Sequence, residues 1–152
     1  MHKEHNDITA AFGFKTGTIT LLDNVQLSGT GLITGEYPLT DSERGMLIGA
    51  TQNVNGQCIL EVTATGVSGS GTPVPTLTLT GLEYTVDDTN WATWHPLPSI
   101  VVSGTGITGQ VAVTSAINPN TTSIKLNAGA QLLTSGDFIY VSATLKLVYA
   151  HG

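Results

Sequence analysis

The chain has 152 residues, 18 of them Gly and 6 Pro, and only 11% of it is charged, where an ordinary soluble domain carries about 25%. A formal charge of −6 and a pI near 4.9 supply no basic field, which argues against binding driven by the phosphates of nucleic acid or of anionic lipid. A single cysteine, Cys58, allows no internal disulfide and excludes a stapled secreted mini-domain, and this length fits one domain around one core.

In chain order, Met1-His2-Lys3-Glu4-His5-Asn6-Asp7 is polar and lacks the apolar stretch of a signal peptide. No run reaches the roughly 18 apolar residues of a membrane span, so cytoplasmic synthesis without a membrane partner is the expectation. Ile8, Phe12 and Phe14 follow, either as a first core strand or as exposed anchors in an N-terminal arm over residues 1–15, with one domain over residues 16–152. From there apolar residues alternate with hydroxyls, as in Thr18-Ile19-Thr20-Leu21, Leu60-Glu61-Val62-Thr63-Ala64 and Leu77-Thr78-Leu79-Thr80. These are half-buried strands in which Thr and Ser replace Lys and Glu on the outer side.

Thr40 and Glu43 have the spacing of a capping box, predicting a helix of one or two turns that Gly45 stops. Turns are predicted at Asn55-Gly56, Gly69-Ser70-Gly71, Asp87 to Asn90, Asn118-Pro119-Asn120 and Ser135-Gly136-Asp137. Two similar Gly- and Thr-rich segments, Ser28–Gly35 and Ser103–Gly109, read as loops or bulged edges. The last run, Phe138 to Tyr149, places Ile139, Val141, Ala143, Leu145 and Leu147 on one face. About eight short strands without intervening helices predict an all-β, antiparallel sandwich, with the jelly roll ahead of an immunoglobulin-like alternative.

Few residues announce chemistry. Gly104-Thr105-Gly106-Ile107-Thr108-Gly109 is a literal G-x-G-x-x-G, but a strand-like Gln110-Val111-Ala112-Val113 follows it where a dinucleotide site needs a helix. His2, His5, His95 and His151 have no metal-ligand spacing, and Glu83 with Asp87 and Asp88 reads as a hairpin turn before it reads as a calcium loop. No paired carboxylates and no nucleophile elbow stand out, so neither catalysis nor a cofactor is expected. Tyr84, Trp91 and Trp94 gather near His95, where aromatic faces could stack on a sugar or could simply plug the end of the sandwich.

Thr78 to Leu97, with its Asp88-Thr89-Asn90-Trp91, followed by Tyr140-Val141-Ser142-Ala143-Thr144-Leu145, resembles a pattern in small virion proteins of tailed bacteriophages. These are β-sandwich proteins of heads or tails, among them the head decoration, or cement, proteins. Their usual form is a strand, an acidic turn like Ser-Asn-Asp-Gly-Thr-Asn-Trp, a variable loop and a last strand beginning Tyr-Val-Arg. Here Thr85-Val86 departs from the start of that turn, no Gly follows the Asp, and Ser142 stands where Arg is usual.

The resemblance implies a structural protein made in the bacterial cytoplasm that binds the major capsid protein and stabilises the shell from the capsid surface. It implies a homo-oligomer, a trimer, with the arm and its Ile8, Phe12 and Phe14 at the interfaces. It carries no catalytic residue. The other reading is a carbohydrate-binding or tail-associated adhesion module that uses Tyr84, Trp91 and Trp94.

Overall fold

The computed structural model describes residues 14–27, 31–67, 76–97, 101–103, 107–131 and 136–150. Ile8 and Phe12 lie outside the described residues. The strands are β1 (Phe14–Leu27), β2 (Gly31–Pro38), β3 (Gln57–Val67), β4 (Thr76–Thr85), β5 (Trp91–Pro96), β6 (Val101–Ser103), β7 (Ile107–Ala112), β8 (Ser123–Gln131) and β9 (Phe138–Ala150). One helix, α1 (Asp41–Gln52), lies between β2 and β3. Because β1 opens at Phe14, Phe14 and Lys15 stand in the sheet, and the rest of the expected arm lies outside the described residues.

Period-two alternation decides which side of each strand is buried. Ile139, Val141, Ala143, Leu145 and Leu147 of β9 all face inward, as do Leu60, Val62 and Ala64 of β3 and Leu77 and Leu79 of β4. Each Leu, Ile or Val so enclosed contributes about 1.5–3 kcal/mol by leaving water. The hydroxyls between them face out, where Thr suits the pleat and needs no counter-ion.

The strands form two antiparallel sheets, one in the order β1-β9-β3-β7 and the other β2-β8-β4-β5, with β6 also beside β4. β5 pairs with Gly81 to Thr85 of β4 and β6 with Thr76 to Thr78, so the two lie end to end as one interrupted edge strand. Counted that way, the first strand pairs with the last, the second with the next to last, the third with β7 and the fourth with β5 and β6. That is one long hairpin rolled into two facing sheets, the winding of a jelly roll rather than of an immunoglobulin domain. The described parts of the two Gly- and Thr-rich segments are edge strands, in β2 and β7.

A bulge interrupts the pairing of β1 with β9. The β1 to β9 register shifts twice between Thr20 and Val25, and Asn24 takes the left-handed φ of 50° while its N–H donates to Ser142 Oγ at 2.9 Å. The extra residues let Leu21 and Leu22, neighbours in sequence, both turn inward. Gly35 of β2 packs so close to them that a Cβ there would stand 2.7 Å from Leu22 Cδ2.

α1 is longer than the one or two turns expected, running 12 residues through Gly45. Its capping box forms as predicted: Glu43 N–H donates to Thr40 Oγ1 at 3.1 Å, and Thr40 N–H to Glu43 Oε1 at 2.9 Å. Gly45 does not stop the helix because Leu47 and Ala50, two and five residues on, are buried in the core, and that burial outweighs a glycine cost of about 1 kcal/mol. Met46 lies against Gly17, and Gly49 against the Tyr149 ring. The helix thus closes the end of the sandwich where β1 begins and β9 ends.

The chain leaves α1 through a turn in which Gly56 N–H donates to Asn53 O at 3.0 Å. A Cβ on Gly56 would stand 2.6 Å from the carbonyl oxygens of both Gly49 and Ala50, whereas one on Gly45 would meet nothing within 4 Å. Gly56→Ala is therefore expected to destabilise by about 1–3 kcal/mol, because backbone must shift to admit the methyl group. Gly45→Ala is expected to stabilise by up to about 1 kcal/mol through helix propensity. Urea unfolding of the two variants beside the parent protein measures both signs.

Candidate functional site

The aromatic residues of the β4 to β5 region divide into two groups. Trp94 is 5% exposed and its indole N–H donates to Ser115 O at 2.9 Å, which fixes it as a plug between the sheets. Beside it, His95 Nδ1 meets Ser115 Oγ at 2.7 Å. Tyr84 is half-buried, and with Trp94 it lines a cleft of about 580 Å³ whose other walls include Gln52, Asn118 and Pro119. The wall formed by the β7 to β8 connection is tied to α1, since Gln52 Nε2 donates to Ile117 O at 2.9 Å and Ile117 N–H to Thr51 Oγ1 at 3.1 Å.

Trp91 does not join them. It lies on the outer face of the second sheet, with Lys125 Nζ 4.2 Å from its ring centroid and the same ammonium 3.5 Å from Glu83 Oε1. Lys125 and Glu83 stand directly opposite in register on β8 and β4. One face of the Trp91 ring is therefore occupied by a cation. The expected three-membered platform of Tyr84, Trp91 and Trp94 is in the structure a two-residue cleft and a separate, partly covered ring.

The acidic turn is a structural knot. Asp87 Oδ1 accepts from Asn90 N–H at 2.8 Å, Thr89 N–H at 2.9 Å and Thr85 Oγ1 at 3.0 Å, while Oδ2 accepts from Asn90 Nδ2 at 2.9 Å. Asp88 follows with a left-handed φ of 62°, and its Oδ1 accepts from Thr122 Oγ1 at 2.7 Å and Ser123 Oγ at 3.2 Å. Asp87 ties the turn to itself, and Asp88 ties it to the start of β8. Among the described residues no three of His, Cys, Asp and Glu come together as a metal site would require.

The surface charge is unevenly placed. The strands of the first sheet carry Lys15, Asp23, Glu61 and Lys146, which sum to zero. On the outer face of that sheet Lys146 Nζ lies 3.1 Å from Glu61 Oε2, which also accepts from Gln110 Nε2 at 2.9 Å. Thr16, Thr18, Thr20, Thr63, Ser142 and Thr144 share that face by register. Cys58, by contrast, is enclosed, and burial pushes its thiol up to about 12.

No protein-family model matches the chain, and no curated protein matches it. Among solved structures it is similar to that of the infectious bursal disease virus Gx strain, with 15% identity and a TM-score of 0.49 over 92% of this chain and 33% of that one. A subviral particle of infectious bursal disease virus VP2 gives 18% identity and 0.45, again over 92% and 33%. A family 22 carbohydrate-binding module of Clostridium thermocellum Xyn10B gives 12% identity and 0.44 over 90% of this chain and 85% of that one. The chain spans about a third of the length of the viral proteins it matches. The jelly-roll assignment rests on the strand order itself.

The hydrogen bonds from Asn90, Thr89 and Thr85 hold the Asp87 carboxyl well below the usual carboxylate range. A group whose folded pKa is depressed contributes stability that is present above its unfolded value and lost as pH falls through the folded one. The turn is therefore expected to keep Asp87 ionised at pH 3, where unconstrained aspartates are mostly protonated. A carboxyl-carbon NMR titration checks this, with Asp87 moving last among the resolved aspartates.

Proposed function

We propose that the chain is a structural virion protein of a tailed bacteriophage, a decoration protein that binds the assembled head and stabilises it. The observation that supports this most is how the charge is distributed. The outer faces of both sheets hold their lysines in ion pairs, Lys146 with Glu61 and Lys125 with Glu83, and present hydroxyls between them. Such faces cost little to desolvate, because few unpaired ions must leave water and each hydroxyl can find a new partner.

In this reading the shell contact is made by residues 1–13, including Ile8 and Phe12, which lead into β1. The mechanism is thermodynamic: preference for the expanded shell stabilises that state by the difference in affinity, and repetition around symmetric positions multiplies it. Purified protein is expected to co-sediment with expanded heads and to raise their resistance to heat. Deleting residues 1–10 should abolish the co-sedimentation. Unchanged head occupancy after that deletion overturns the proposal.

The cleft between Tyr84 and Trp94 favours a second reading, a carbohydrate-binding or adhesion module. Its polar side chains, Gln52, Thr93 and Asn118, are uncharged, as suits a neutral sugar. Glycan-array binding that disappears in Tyr84→Ala with the thermal transition retained is the expected result if the cleft takes sugar. Trp94→Ala cannot serve, since removing a buried tryptophan costs about 3–5 kcal/mol and threatens the fold.

A further inference from the structure

We propose that Asn55 is a site of spontaneous deamidation in the folded protein, that opening of the turn joining α1 to β3 sets its rate, and that the product loosens this joint. Asn55 is followed by Gly56, and no other asparagine of the chain precedes a glycine. Without a Cβ, the glycine leaves its own amide nitrogen open to approach the preceding side chain. Asn55 is exposed, next to a Val54 that is 98% exposed. Among the described residues no hydrogen bond or ion pair engages the Asn55 side chain. Other asparagines are held or blocked: Asn53 Nδ2 donates to Gly49 O at 3.2 Å, Asn90 Nδ2 donates to Asp87 Oδ2 at 2.9 Å, and Asn118 precedes Pro119, which has no N–H to give up.

The step needs only water and hydroxide. Hydroxide takes the proton of the Gly56 N–H, and the nitrogen adds to Asn55 Cγ. The N–Cγ bond forms as Cγ–Nδ2 breaks, and Nδ2 takes a proton from water and leaves as ammonia, which regenerates the hydroxide. A second water opens the five-membered imide at either carbonyl, giving aspartate or an isoaspartate whose main chain runs through the side-chain carbon. Nothing is oxidised or reduced; one water enters and one ammonia leaves.

In the closed turn the nitrogen is engaged, since Gly56 N–H donates to Asn53 O at 3.0 Å. Attack therefore waits for the turn to open. Little holds it shut, because Val54 buries almost nothing, and segments with few buried apolar contacts are where native proteins open locally. The product fits poorly where it forms. The last turn of α1 holds no basic residue, so a new carboxylate meets the carbonyl end of the helix unopposed. In the isoaspartate the main chain gains a methylene directly before Gly56, at a place where even a Cβ would stand 2.6 Å from Gly49 O and Ala50 O.

Purified full-length protein held at mildly alkaline pH and sampled over weeks by peptide mass mapping tests this. The amide-to-acid mass change is expected at Asn55 ahead of every other asparagine, as two products that chromatography separates. Its rate should lie about two- to tenfold below that of the urea-unfolded chain, the worth of one net hydrogen bond. Asn55→Gln should lose the change and keep the fold, since Asn55 lies outside the left-handed region and Gln is equally at home there. Converted protein is expected to melt at least about 2 °C below fresh protein, with no shift in the Gln variant held in parallel. A folded chain that keeps Asn55 intact while the unfolded chain converts overturns the proposal, and so do equal rates in the two states or converted protein that melts with the fresh. Because neither head nor glycan is present, failure here leaves the readings above to their own tests.

Discussion

The fold depends on β9 being paired along both edges at once. β1 follows it from Ala150 to Ile139, β3 from Val148 to Phe138, and its inner stripe from Ile139 to Leu147 is enclosed between the sheets. Because side chains alternate from one face to the other, a slip of one residue would send every Leu and Val of that stripe into water. The first and last parts of the chain are therefore locked to each other in a single register. Everything wound between them inherits its position from that pairing, including the edge strands and the helix at the end.

That dependence also explains the uneven use of polar groups. Where the chain must leave a strand, it uses its few charged side chains to tie connections down: Glu43 in the helix cap, Arg44 to Thr121 O, and the two aspartates of the β4 to β5 turn. Tyr37 O–H donates to Glu43 Oε2 at 2.5 Å and links β2 to the same cap, and the two oxygens of this one carboxylate serve the strand and the helix. The flat sides carry mostly hydroxyls, with one ion pair on each, Lys146 with Glu61 and Lys125 with Glu83.

Most of the fold was legible because period two is a strong signal when its polar member is so uniformly Thr or Ser. The inward residues of β9, β3 and β4 were read from alternation alone, and Thr40 with Glu43 marked the helix start. The helix end was not legible: Gly45 carries a local penalty, and only the tertiary burial of Leu47 and Ala50 overrides it. The spacing of the tryptophans does separate them: three residues apart in β5, Trp91 and Trp94 fall on opposite faces, and the single extra residue in the pairing, with Leu82 opposite His95 and Glu83 opposite Thr93, does not bring them together.

Cys58 sits in this scheme as a small apolar filler, 3% exposed beside the exit of the helix. Thiolate is the reactive form, and a group titrating near 12 offers almost none of it at neutral pH. Its one cysteine is therefore held out of thiol–disulfide exchange, and a change from a reducing to an oxidising medium finds no reactive thiol in the chain.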